Sequence, residues 1–329
     1  MQIKYKHHYV PQGYLKKWYD NKNRLWINRN NNIFTTRSNN ICQEKFFYKI
    51  EILNDNELYA VMYMLLRTPD PVRTYLFYII SSLNKIAIKE DELNLLMKKF
   101  PTKNNFKHIK DELNAIKMLT SNTLEDIYAS LDGVLCNYIN SIINTNKDNS
   151  IIKDTPDHIL LLSIIIQLYR TNKTRYHSVK IAKKLLKDYP LIKDFNWEKI
   201  TLYIPIILGV ETANIMVCNN YKMYIVTNKS PIPFVTSDNP VISINKKSNI
   251  GTYIYPISPD KAIIISRIGV KLDFTNINTI NSINKKIIKE SHEIVIFNSK
   301  NTANKYKNYI YILIPKIKVI DCYFHYCIK

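Results

Sequence analysis

Two adjacent histidines, His7 and His8, open the run His7-His8-Tyr9-Val10-Pro11-Gln12. An imidazole titrates near neutral pH, so either ring can give or take a proton, or ligate a metal through a neutral nitrogen. In an extended segment the two rings point to opposite faces, so only one of them easily enters a given cleft. Far along the chain, Gln167 and Arg170 lie three residues apart in a strongly apolar run, which on a helix places them on one face. A guanidinium among isoleucines needs a partner, and its fork suits a carboxylate or a phosphate. Asp238 stands in Thr236-Ser237-Asp238-Asn239-Pro240 between two apolar stretches, where a carboxylate can orient a water or a metal ion.

Each of these groups also has a structural use. A histidine beside a tyrosine can bond to backbone, and Thr236 to Asn239 can fold back on their own chain as an Asx or Ser/Thr turn. Arg170 can bridge to Asp238 or Glu125 instead of to a ligand. Glu125 is read two residues into a helix starting at Thr123, where an acid is favoured by the helix dipole alone. Arg175 and His177 are read as continuing the Arg170 helix and extending a basic face. Tyr9, Gln12, Ser237, Asn239 and Arg175 complete the candidate set as substrate contacts.

Three zones must position these residues. Residues 1–50 carry the histidines and a predicted β-hairpin, in which alternating runs at 24–29 and 32–37 flank asparagines. Residues 51–200 read as helical, with apolar residues at helical spacing in segments at 54–68, 90–100, 110–119, 123–143 and 155–186. Thr155-Pro156-Asp157 reads as a capped helix start. Residues 201–329 read as mostly strands, at 214–218, 222–227, 233–237, 241–244, 252–258, 261–266, 292–297 and 309–327, with one helix near 282–292. The expected fold is α+β: an N-terminal extended segment and hairpin, a central helical region and a C-terminal, mostly antiparallel sheet, integrated in one domain over 1–329.

Composition removes several enzyme classes. The 329 residues include only 5 glycines, where average usage of ~7% gives roughly 23. The two nearest, Gly251 and Gly269, are 18 positions apart, so no dinucleotide fingerprint, phosphate loop or G-x-S-x-G elbow can form. A nucleotide cofactor held by a glycine loop is therefore not expected. The net charge is +20, from 47 basic and 27 acidic residues, and steers polyanions, so nucleic acid is the expected partner. Part of that charge is compositional, since lysine, asparagine, isoleucine and tyrosine are all abundant, and the eight arginines are more telling. No apolar run reaches membrane-spanning length, and the first residues lack a signal-peptide core, so a cytoplasmic protein is expected, with no membrane partner. Five scattered cysteines argue against a disulfide framework, and Cys322, His325 and Cys327 alone are too few for a zinc knuckle.

The markers His7 to Pro11, Tyr14-Leu15-Lys16, Cys42-Gln43-Glu44 leading to Phe47-Tyr48, Leu124-Glu125, Gln167 to Thr171 and Phe234 to Val241 resemble, in this order, the HHYVP-motif family of unknown function. The likeness runs from His7 to at least Pro256. It departs where the family's Arg-Thr-Pro reads Arg170-Thr171-Asn172, while an Arg-Thr-Pro stands at Arg67-Thr68-Pro69; Gln167, three residues earlier, marks Arg170 as the counterpart. The resemblance implies positions and no mechanism. The residues themselves suit phosphodiester hydrolysis, with histidine as acid or base, Arg170 against phosphate charge and Asp238 holding a water or a divalent metal. The expectation is thus a bacterial nuclease, RNA favoured, in a toxin or defence setting. A non-catalytic nucleic-acid-binding module and a structural protein are the competing classes.

Overall fold

The computed structural model describes residues 2–66, 68–99, 106–144, 157–188, 196–244 and 251–313. Its N-terminal part holds β1 (Lys6–His8), α1 (Gln12–Leu15), the hairpin β2 (Leu25–Arg29) and β3 (Asn32–Thr36), and β4 (Gln43–Lys45). The helical part follows as α2 (Asp55–Leu65), α3 (Val72–Lys99), α4 (Phe106–Ile143), α5 (His158–Tyr169), α6 (Asn172–Asp188), α7 (Trp197–Ile200) and α8 (Ile204–Cys218). Then come β5 (Lys222–Thr227), β6 (Thr236–Ser237), β7 (Ile242–Ser243), β8 (Tyr253–Pro256), β9 (Lys261–Ser266), α9 (Ile277–Glu290), β10 (Ile294–Phe297) and α10 (Lys300–Leu313). The architecture is mixed helix and sheet, with a central helical region and antiparallel sheets after it.

Local chemistry explains several boundaries. The hairpin turns at Asn30 and Asn31, both with positive φ (51° and 66°), as a two-residue hairpin loop requires. Asn54 and Glu57 form a reciprocal capping box at the start of α2. Asp157 caps α5 by accepting from the Ile159 and Leu160 N–H groups.

The hairpin is not a free-standing unit. Strand β2 pairs along its other edge with β10, and β10 with β6, giving the order β3-β2-β10-β6. A second sheet, β5-β9-β8-β7, is buried on both faces. Ile263 and Ile265 of β9 join the core under α5 and α8, while Ala262 and Ile264 join the core under α9 and α10. Helices α5 and α8 pack closely at Gly209, where an added Cβ would stand 2.6 Å from Ile166 Cγ1.

Four sequence expectations are corrected. Residues 214–218 are the end of α8, not a strand: five mostly apolar residues span too few turns to show a helical period, and Ile215 and Cys218 are exposed there without breaking the apolar run. The segments 110–119 and 123–143 are one helix, so Glu125 lies within α4 and not at its start; Thr123 satisfies its hydroxyl on the Leu119 carbonyl. Arg170 ends α5 with φ −85° and ψ 0°, and Arg175 and His177 belong to the separate helix α6. The predicted strand at 309–327 begins as the end of α10, and its remainder, with Cys322, His325 and Cys327, lies outside the described residues, as do Thr155 and Pro156.

Candidate functional site

Strand β1 pairs with β4 in the register His7 to Glu44 and His8 to Gln43, which sends the two rings to opposite sides. His7 is 0% exposed and wholly committed to backbone. Its Nδ1 accepts from the Tyr48 N–H at 2.9 Å, so Nε2 carries the proton and donates to the Lys4 carbonyl at 2.9 Å. His8 is half-buried, with Gln12 Nε2 3.2 Å from its ring. Burial, then the positive charges of Lys6 and Arg170, hold its pKa below the ordinary value. His8 is therefore neutral at pH 7 and is the histidine left for chemistry.

Beneath this strand lies a buried polar cluster. Gln167 Nε2 donates to the Tyr9 carbonyl (2.9 Å), and Gln167 Oε1 accepts from Arg170 Nη2 (3.0 Å). The same Nη2 reaches both oxygens of Asp132 (2.8 and 2.9 Å). Arg170, 2% exposed, also sits 5.0 Å over the Tyr128 ring. Its partner is thus Asp132, seven residues after Glu125 on α4, and not Asp238 or Glu125. Burial pushes the Asp132 carboxyl up against the pull of Arg170.

Glu125 completes the cluster. Its Oε1 accepts a long bond from the His8 N–H (3.4 Å), while its Oε2 and Arg170 Nε are buried without a hydrogen-bond partner among the described residues. Burial raises the Glu125 carboxyl to about 7, the lesser pull of Arg170 notwithstanding. A folded-state value above the unfolded ~4.3 means that the fold holds a proton the unfolded chain has released. That stability is complete below about pH 4 and is lost as pH rises through about 7. Glu125→Gln should therefore remove on the order of 3 kcal/mol of pH-dependent loss between pH 4.5 and 7.5, visible as a flattened stability profile in urea titrations. An unchanged slope would contradict the burial of an ionisable Glu125.

The turn at 236–240 has a different character. Asp238, 1% exposed, accepts from the N–H groups of His292 (2.8 Å), Glu293 (2.7 Å) and Ile294 (3.0 Å). Ser237 Oγ accepts from the Asn239 N–H and donates to the Asn239 carbonyl, the Ser/Thr turn expected from composition. Asn239 links two elements: Oδ1 accepts from Thr171 (3.3 Å) and Nδ2 donates to the Glu290 carbonyl (3.0 Å). Three of the roughly four lone-pair positions of the buried Asp238 carboxylate are taken by backbone amides, so its main use is as an amide clamp. Tyr14 ties the N-terminal segment to the same strand, donating to the Pro256 carbonyl (2.8 Å) and lying 2.5 Å from Thr236 Oγ1.

The fold thus draws His8, Tyr9, Gln12, Glu125, Gln167 and Arg170 together, and joins them through Thr171 and Asn239 to the Asp238 turn. Arg175 lines a cleft together with Arg170, Thr171, Phe47 and Tyr48, its Nη1 donating to the Phe47 carbonyl (3.0 Å) and its guanidinium 4.8 Å over the Phe47 ring. Among the described residues no three His, Cys, Asp or Glu side chains are grouped to hold a metal ion. No helix there is long and apolar enough to cross a membrane.

The family profile described as "Protein of unknown function (DUF4238)" matches residues 6–301. The chain belongs to the DUF4238 family. That match spans all the markers quoted above without singling out His7 to Pro11, and its description carries no activity. No curated protein and no solved structure matches this DUF4238 chain.

Two features of this DUF4238 member escape a reading of its sequence. Asp132 shares a face of α4 with Glu125 and Tyr128, at seven- and four-residue spacing, which was the available signal. On α6, Lys173, Tyr176, His177 and Lys180 recur at i, i+3, i+4 and i+7 beside His292, from the turn that Asp238 holds.

Proposed function

We propose that the chain is a phosphodiester hydrolase acting on nucleic acid, RNA favoured, with its site at His8, Gln12, Glu125 and the Arg170–Asp132 pair. The observation that carries this reading is the Glu125 carboxyl, raised to about 7 beside a neutral His8, with its Oε2 and Arg170 Nε unpartnered. Perturbed acid–base groups with unspent hydrogen-bonding capacity are marks of a reactive site. The protonation states suit one direction of transfer. Neutral His8 takes the proton from the ribose 2′-hydroxyl, whose oxygen forms a bond to phosphorus. The bond to the 5′-oxygen breaks, and protonated Glu125 gives that oxygen its proton. Arg170, held by Asp132 and Gln167, supplies positive charge behind the phosphate. Use of the 2′-hydroxyl as nucleophile favours RNA, since DNA lacks it.

Labelled RNA and DNA should be incubated with the purified chain, with chelator and with divalent metal. The expected result is RNA cleavage to 2′,3′-cyclic phosphate ends, a bell-shaped pH profile, and DNA left whole. His8→Ala and Glu125→Gln should each lower kcat by about 10²- to 10⁴-fold while the protein remains folded. A folded wild-type chain that cleaves neither nucleic acid under any metal condition sinks this reading.

A further inference from the structure

The hydrolase site leaves the stripe of α6 unused. Lys173, Tyr176, His177 and Lys180 share one helix face. Lys173 Nζ is moored on that face to Glu290, through the carbonyl (2.7 Å) and the carboxylate (2.6 Å). The Tyr176 side chain stands 57% exposed, its ring centroid 5.7 Å from the His177 ring, edge-on, and 5.8 Å from the His292 ring at 40°. Both histidines are half-buried, and among the described residues neither ring has a hydrogen-bond partner. His292 is placed by the three amides that Asp238 gathers. On this face Lys173 pairs with Glu290, and Glu293 of the facing turn is paired by Arg29, which leaves exposed Lys180, among the described residues there, as the uncompensated cation.

A bare aromatic face rimmed by cations is what single-stranded nucleic acid needs: a ring on which a base stacks, and positive charge for the adjoining phosphates. We propose that this stripe docks single-stranded nucleic acid, with a base on Tyr176 and flanking phosphates against His177, His292 and Lys180. The strand's identity rests on the hydrolase reading above, whose Arg170 stands three residues before Lys173. The groups facing the imidazoles are Lys173 and Lys180 from α6, Glu290 at the end of α9, and Asp238 and Glu293 around His292. Protonation of the His177 ring, held below its ordinary pKa by burial and by Lys173, adds a cation beside Lys180, so affinity rises as pH falls.

The test is fluorescence anisotropy of a labelled uridine decamer on the full-length Glu125→Gln protein, which binds without cleaving, across pH 5.5 to 8 and a salt series. Affinity should fall steeply with salt and rise toward pH 5.5. Tyr176→Ala should weaken binding roughly tenfold, Tyr176→Phe should not, and the exposed-tyrosine control Tyr75→Ala should leave it unchanged. The change His177→Ala should flatten the pH dependence. Binding that survives Tyr176→Ala and keeps its pH slope in the His177→Ala variant overturns the docking site, even if RNA is cleaved. Binding lost with Tyr176 by a chain that cleaves nothing overturns the hydrolase reading alone.

Discussion

Arg170→Ala is expected to destabilise the folded chain by about 3–5 kcal/mol, measured by chemical denaturation at pH 7. The guanidinium is buried, and one nitrogen serves Asp132 and Gln167 together. Removing it leaves the Asp132 carboxylate facing Tyr128 and Tyr48 with no compensating charge, and frees Gln167 Oε1. The loss should be partly recovered by adding Asp132→Asn, because the stranded charge then disappears with its partner. Arg170→Lys should fall between, since an ammonium cannot reproduce the planar contact with the Tyr128 ring. A loss below about 1 kcal/mol for Arg170→Ala would mean that the ion pair is open to water.

Asp238→Ala is expected to cost about 4 kcal/mol. Three amides at 292–294 lose a common acceptor, the Ile294 one buried and the other two partly buried, and a buried donor left unpaired costs about 1–3 kcal/mol. The damage should be local first. Amide exchange at His292, Glu293 and Ile294 should accelerate ahead of the rest of β10, and the two-residue pairing of β6 with β10 should loosen with it. Asp238→Asn should cost less than alanine, since one oxygen still accepts. An alanine variant within about 1 kcal/mol of wild type would refute the carboxylate's role as an amide clamp.

Much of the positioning was legible because it is local. The Gln167 and Arg170 spacing predicted a shared face, and the two side chains do bond to each other. The asparagines between the two runs of the predicted hairpin marked its turn, and among the described residues four of the six non-glycine residues with positive φ are Asn23, Asn30, Asn31 and Asn220. What stayed hidden is tertiary. Nothing near Arg170 names Asp132, 38 residues earlier, as its partner over Asp238 or Glu125, because one carboxylate resembles another until helices pack. The four polar residues at 236–239 suggested a projecting carboxylate. Instead they meet the equally polar demand of unpaired amides at the start of β10, which no pattern within the turn reveals. Residues 214–218 defeated periodicity because Ile215, 50% exposed, and Cys218 stand on the solvent side of α8, leaving little polar signal to mark that face.

The stitching of the first strands to the last ones has a consequence for synthesis. Tyr14 bonds to Thr236 and Pro256, and β2, besides its hairpin partner β3, finds its second neighbour in Ile294–Phe297. A ribosome delivers the chain from its N-terminus, so Leu25, Ile27 and their hairpin emerge with one edge unpaired and must wait for more than 260 further residues. Sheet completion thus waits for the late-made strand β10 and closes a loop spanning most of residues 25–297, the kind of contact that slows folding. Meanwhile the exposed edge is open to wrong partners, which makes the nascent hairpin a natural client for a holding chaperone.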